Sequence, residues 1–207
     1  MKLVRYLVSA LIVLAPAAAQ ANSTEDGVLA EINRARTDPA GFAADLERLR
    51  QSFDRAGEYE SLGARVRFMS YEGRAAVDEA IRFLRRQRPL PPLRRGQLLA
   101  AAATDHTREQ GPRGMFGHAS LDGTMPGDRV MRRGGGDYVA ETIAYTTNSP
   151  IDVVAGLIVD DNVPDRGHRA VIFDEQYRYA GAGCGPHTRW GFMCTVDFGR
   201  TPDGSYP

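Results

Sequence analysis

Val159-Asp160-Asp161-Asn162-Val163-Pro164-Asp165-Arg166-Gly167-His168-Arg169 is a dense run of ionisable groups between two apolar stretches, and it reads as a site rather than as core. Upstream, Ser149-Pro150 makes a good helix start, with a hydroxyl to accept an orphan N–H and a proline in the first turn. Val154, Ile158 and Asp161 then share one helical face, and Val153, Leu157 and Asp160 the adjoining one. The helix is expected to finish at or before Val163, because Pro164 disfavours the α conformation in the residue before it. Both carboxylates then fall in the last turn, where the negative end of the macrodipole disfavours each by roughly 0.3–1 kcal/mol. Something nearby must compensate. Solvated charges, with Asp165 capping the next turn, would explain the run taken alone. The case for a site comes from a second imidazole-bearing run upstream, Phe116-Gly117-His118-Ala119-Ser120-Leu121-Asp122-Gly123, with Glu141 between the two.

The 207 residues carry 26 basic and 26 acidic side chains, a balance with no nucleic-acid footprint, and the length suits one domain with a sizeable core. Met1 to Ala21 has the pattern of an export signal: Lys2 and Arg5 precede an apolar run from Leu7 to Ala15, and Ala19-Gln20-Ala21 offers a cleavage site. That run is too short for a comfortable membrane span, with an uncleaved anchor as the minor alternative. Residues 22–207 are then expected to form a single secreted or periplasmic domain. In an exported chain Cys184 and Cys194 can oxidise, and they lie in two strand-like runs joined by a turn placed at Gly185-Pro186, so a disulfide across a hairpin is expected. Their spacing matches no zinc motif. His187, which follows Gly185-Pro186 in that turn, has solvent or the cleft within reach and is expected to face solvent.

The first half of the chain reads as helical. Val28, Ile32 and Ala35 line one face of a helix, and Asp38-Pro39 opens a second with Phe42, Leu46 and Leu49 at i, i+4, i+7. Residues 51–70 have weak periodicity and read as irregular. Val77, Ala80, Ile81 and Leu84 define a further amphipathic helix whose basic end, Arg85-Arg86-Gln87-Arg88, suits the dipole. From about Gly96 another helix carries Leu98, Ala102 and His106 in one row, so His106 points to the core as a packed, hydrogen-bonded residue. Arg108 to Gly117 reads as loop, and Pro126 to Arg133 as a short helix. Tyr138 to Thr146 alternates as a strand, with Val139, Glu141, Ile143 and Tyr145 on one face. A carboxylate among those apolar residues is costly unless paired, so Glu141 needs a partner. The pattern predicts an α+β domain in which helices cover an antiparallel sheet.

Leu98-Leu99-Ala100-Ala101-Ala102-Ala103-Thr104-Asp105-His106, Phe116-Gly117-His118-Ala119-Ser120, Ala140-Glu141-Thr142-Ile143 and Arg166-Gly167-His168-Arg169 come in the order and spacing of the CAP superfamily. This is the SCP domain of cysteine-rich secretory proteins, antigen 5 and plant pathogenesis-related 1 proteins. The resemblance runs from about Leu29 to Gly199, with its motifs within 96–199, and implies a three-layer α-β-α sandwich with a central antiparallel sheet. It also implies a cleft in which two histidines and two acidic residues converge. Carried over by motif, these are His118, Glu141 and His168, with Asp160 as the second acid and Asp161 as its rival. Aspartate stands where the family usually has glutamate, Asn162 replaces a more usual glycine, and Thr142 a more usual asparagine.

Neutral imidazoles are good ligands for zinc or another divalent cation, and a carboxylate on the other ring nitrogen fixes the tautomer. His118 and His168 with water would hold such a cation weakly. The same four groups could equally form a hydrogen-bonded network that shapes the cleft without metal. A hydrolase is the enzymatic alternative, with a histidine as general base and Ser120 two residues after His118, although neither a Gly-x-Ser-x-Gly elbow nor a His-Glu-x-x-His helix is present. Ser120 also suits a turn with Asp122-Gly123. Some relatives bind sterols or fatty acids and many act through partner proteins. The resemblance therefore implies a binding module for a small-molecule, lipid or protein ligand.

Overall fold

Ser23 accepts a hydrogen bond from the Asp26 amide and opens α1 (Thr24–Thr37), while Asp38 does the same from Gly41 for α2 (Pro39–Gln51). The computed structural model describes residues 23–206, so the export signal lies outside the described residues. Both helices bury the faces their periodicity predicts: Val28, Ile32 and Ala35 in α1, Phe42, Leu46 and Leu49 in α2. The stretch expected to be irregular contains a small antiparallel hairpin, β1 (Glu58–Glu60) with β2 (Arg67–Met69). Three residues per strand are too few to establish a period, and Arg67 ties the strands together through Glu58 and Asp54.

After α3 (Arg74–Arg86) and the short β3 (Arg94–Arg95), α4 (Gln97–Gln110) extends past the expected break at Arg108 and ends in a 3-10 turn at Gly111–Arg113. Tertiary bonds carry it on: Thr107 is buried and its hydroxyl donates to the Gly183 carbonyl at 2.8 Å. The remaining elements are α5 (Pro126–Met131), β4 (Val139–Thr146), α6 (Pro150–Val159), α7 (Gly167–Ile172), β5 (Tyr179–His187) and β6 (Gly191–Gly199).

The main sheet has the order β3-β5-β6-β4. Its three long strands are antiparallel, as expected, but β3 joins β5 in parallel, which makes the sheet mixed at one edge. One face presents Ala144, Cys194, Val196 and Phe198 to the core shared with α1, α2, α3, α6 and α7. The opposite face packs on α4 and α5. There β5 offers Gly181 and Gly183, and a Cβ at either would sit 2.1 Å from the Ala100 nitrogen or 2.3 Å from that of Thr104. The absence of side chains lets the α4 backbone lie directly on the sheet. The result is the expected α-β-α sandwich.

Cys184 and Cys194 face each other across β5 and β6 and form the disulfide. Gly185-Pro186 is not the hairpin turn, since β5 continues to His187 and residues 188–190 make the reversal. His187 accordingly does not face solvent. It is 2% exposed, its Nδ1 accepts from the Arg189 and Trp190 amides of the turn, and its Nε2–H donates to the Met115 carbonyl in the loop after α4, so both ring nitrogens are engaged inside.

Candidate functional site

Strand β4 forms the free edge of the main sheet, and the histidines approach it from opposite layers: His118 from the loop after α4, His168 from α7. Glu141, on the α4-facing side of β4, accepts from His118 Nδ1 at 2.8 Å. The expected partner for this carboxylate is therefore present, together with a second, Arg129 of α5, whose guanidinium bonds the other oxygen. On the other side Asp160 accepts from His168 Nδ1 at 2.6 Å. The two imidazole centroids lie 6.5 Å apart.

The backbone around Asp160 corrects the helical expectation. α6 stops at Val159, and Asp160 is its cap in the left-handed region, with Asn162 and Arg166 also at positive φ. Asp160 and Asp161 therefore do not share a last helical turn. Asn162 occupies a conformation that glycine and asparagine tolerate best, which accounts for the residue seen there. The sharp exit turns the Asp160 carboxylate toward the start of α7, where it accepts from the His168 amide at 2.9 Å. These contacts offset the unfavourable end of α6 and let the shorter aspartate reach its imidazole. Asp161 points away, accepting from the Ser70 hydroxyl and from the Tyr71 and Glu72 amides. Its role is to clamp the segment leading into α3. Asp165 accepts from the Gly167 amide in a local turn, but the cap of α7 is Arg166.

The His118 loop is held from beneath. His106, fully buried as expected, donates from Nε2 to the Gly117 carbonyl, and the Gln110 amide donates to Gly117 and Ala119. Burial holds His106 below the usual histidine range. Arg129 donates to the His118 carbonyl at 2.9 Å and to the Ser120 hydroxyl at 3.3 Å. Ser120 thus takes part in a turn closed by Gly123 and Thr124, and its hydroxyl meets a guanidinium rather than an imidazole.

Arg129 and Asp197 are the site components that motif spacing misses. Arg129 lies on a six-residue helix with no periodicity to mark it. Asp197 carried a legible signal: it is an acid on an otherwise apolar alternating strand, the same anomaly that singles out Glu141. It pairs directly across β4 and β6 with Glu141 and is fully buried.

Chemically, each imidazole has its Nδ1–H committed to a buried carboxylate and its Nε2 left as a lone-pair donor. The His118 and His168 side chains are 43% and 23% exposed, whereas those of Glu141 and Asp160 are 1% and 2% exposed. Solvent therefore meets basic nitrogens backed by screened acids. Two such nitrogens on one cation would bring the ring centres to roughly 5–6 Å, so a closure of about 1 Å from the present spacing would seat it. No group of three or more His, Cys, Asp or Glu side chains is placed to hold a metal among the described residues. A cation here would have only His118 and His168 as protein ligands. Beside His118 and Glu141 opens a cavity of about 440 Å³ whose walls include Met125, Pro126, Asp137 and Val139.

A mixed sheet between helical layers, with two histidine-carboxylate pairs flanking its edge strand, defines an SCP-type domain. The chain belongs to the CAP, or cysteine-rich secretory protein, family, whose profile matches residues 29–198. No individual curated protein matches the sequence. Among solved structures the chain is similar to an extracellular protein containing an SCP domain from Bacillus anthracis, with 23% identity and a TM-score of 0.44. That match covers 60% of this chain and 37% of the other.

Proposed function

We propose that this CAP domain is an exported binding module in which His118 and His168 hold zinc or a similar divalent cation weakly through Nε2, beside a cavity that takes a small ligand. Export is supported by the leader-like first 21 residues and by the disulfide, which persists in oxidising compartments. No helix among the described residues is long and apolar enough to cross a membrane. The observation that carries the reading is the matched pair of imidazoles, each aimed by a buried carboxylate on Nδ1 and 6.5 Å apart. Carboxylates in this position fix ring orientation and raise ligand basicity. Glu141 and Asp160 orient the ligands without joining them. With only two protein nitrogens the cation is exchangeable, and its open positions are where a carboxylate, carbonyl or phosphate of a ligand from the cavity would bind.

The test is calorimetric titration of chelator-stripped protein with zinc, beside His118→Ala and His168→Ala variants checked for folding. Saturable binding lost in both variants is expected. No binding, or binding unchanged by either substitution, overturns the proposal and leaves the four residues as cleft architecture.

A further inference from the structure

Asp197 is the most anomalous polar group of the described chain. It sits at the middle layer of the sandwich with no exposure, and neither carboxyl oxygen has a hydrogen-bond donor. Its cross-strand neighbour on β4 is Glu141, a second acid, and its neighbour on β5 is Gly181, which has no side chain to offer. From α5 comes Arg129, whose terminal nitrogens are spent on Glu141, the His118 and Thr124 carbonyls and Ser120. From α4, packed on this face, comes His106, buried, bonded to Gly117 and with the charges of Glu141 and Arg129 as its neighbours.

An ionised carboxylate without donors, in a dry site beside another carboxylate, is strongly disfavoured. For the neutral acid the Glu141 carboxylate, directly opposite on β4, is an acceptor. Burial first, and then the charge of Glu141, push Asp197 well above the usual carboxylate range, with Arg129 opposing. We propose that Asp197 is a positioning residue for the His118–Glu141 pair: as a neutral carboxylic acid it donates its hydroxyl proton to Glu141 and, with Arg129, fixes the carboxylate against which His118 is aimed. Glu141 is then held from three sides, by a guanidinium, an imidazole N–H and an acid O–H. The proton on Asp197 keeps the buried charge count at one cation and one anion. This inference rests on the burial of Asp197 and its register opposite Glu141, and not on the metal reading, so neither stands or falls with the other.

The experiment is carboxyl carbon NMR on aspartate-labelled, zinc-free protein, with Asp197→Asn assigning the resonance. The Asp197 signal should remain at the neutral-acid position at about pH 7, where ordinary aspartates are ionised. A carboxylate signal there overturns the proposal. The linked stability gives a second readout. An acid with a raised folded pKa loses stability as pH rises above its unfolded value of about 3.9. Wild type should therefore decline relative to Asp197→Asn as pH rises above about 4, the two converging in acid. Parallel profiles would contradict the assignment. Positioning itself is read from the His118 ring by nitrogen NMR: Asp197→Asn, whose amide can still donate, should keep the single tautomer with its proton on Nδ1. Asp197→Val should let the two tautomers mix. Equal tautomer populations in the two variants would remove the positioning role, and should the valine variant not fold, the wild-type and asparagine spectra still decide.

Discussion

Replacing Arg129 with methionine keeps most of the aliphatic stem but strips Glu141 of its guanidinium. The two side chains are 4% and 1% exposed, so water cannot readily take the place of the lost partner. Removing one member of a buried ion pair typically costs about 3–5 kcal/mol, because the other charge is left uncompensated. The His118 and Thr124 carbonyls, 2.9 and 3.4 Å from the same nitrogen, also lose a donor. Both belong to a partly exposed loop where water can substitute, so their share is about 1 kcal/mol at most. The expected loss is therefore about 4 kcal/mol, to be read from urea unfolding at neutral pH. Pairing the change with Glu141→Gln removes the stranded charge and should recover about 2 kcal/mol relative to the sum of the single variants. A loss below about 1.5 kcal/mol for Arg129→Met, or strict additivity in the double variant, would refute the view that this pair is a buried, mutually dependent unit.

Valine at Gly183 would place its Cβ 2.3 Å from the Thr104 nitrogen and 2.6 Å from the Ala103 carbonyl carbon, both backbone atoms, so α4 must lift from the sheet. A loss of at least about 3 kcal/mol, or failure to accumulate folded protein, is expected by thermal unfolding. Gly156→Ala, inside α6 with nothing within 4 Å of the added carbon, should instead gain about 0.5–1 kcal/mol. Glu72, held by Arg166 and by the Asn162 amide, is pushed down to about 2. A depressed acid stabilises the fold above its unfolded pKa of about 4.3, and that contribution is lost as pH falls through the folded value. Acid scans of the thermal midpoint should thus show the advantage of wild type over Glu72→Gln shrinking from about pH 5 toward pH 2.

Long amphipathic periods made α1, α2, α3 and the main strands legible, since each buries one face against a single layer. The β1–β2 hairpin was not, because three-residue strands held by surface arginines leave no hydrophobic period. The end of α4 depended on Thr107 reaching Gly183 some seventy residues away, a contact with no local signature. Four site residues could be placed by motif, but the choice between Asp160 and Asp161 turned on a left-handed cap, and neither residue type nor spacing encodes that backbone conformation. His187 illustrates the reverse error: a polar residue near a glycine and a proline suggests solvent, yet the backbone of the tight turn supplies two donors that draw it inside. Asp197 was readable by the argument applied to Glu141, that an acid on an apolar strand face must be answered.

The two histidines are rooted in different layers of the sandwich and meet only across the edge strand. His118 is anchored to α4, α5 and the glycine-faced side of the sheet, whereas His168 is anchored to α6, α7 and, through Asp161 and Arg166, to α3. Their separation is thus a vernier, a small gauge of how one helical layer is registered against the other.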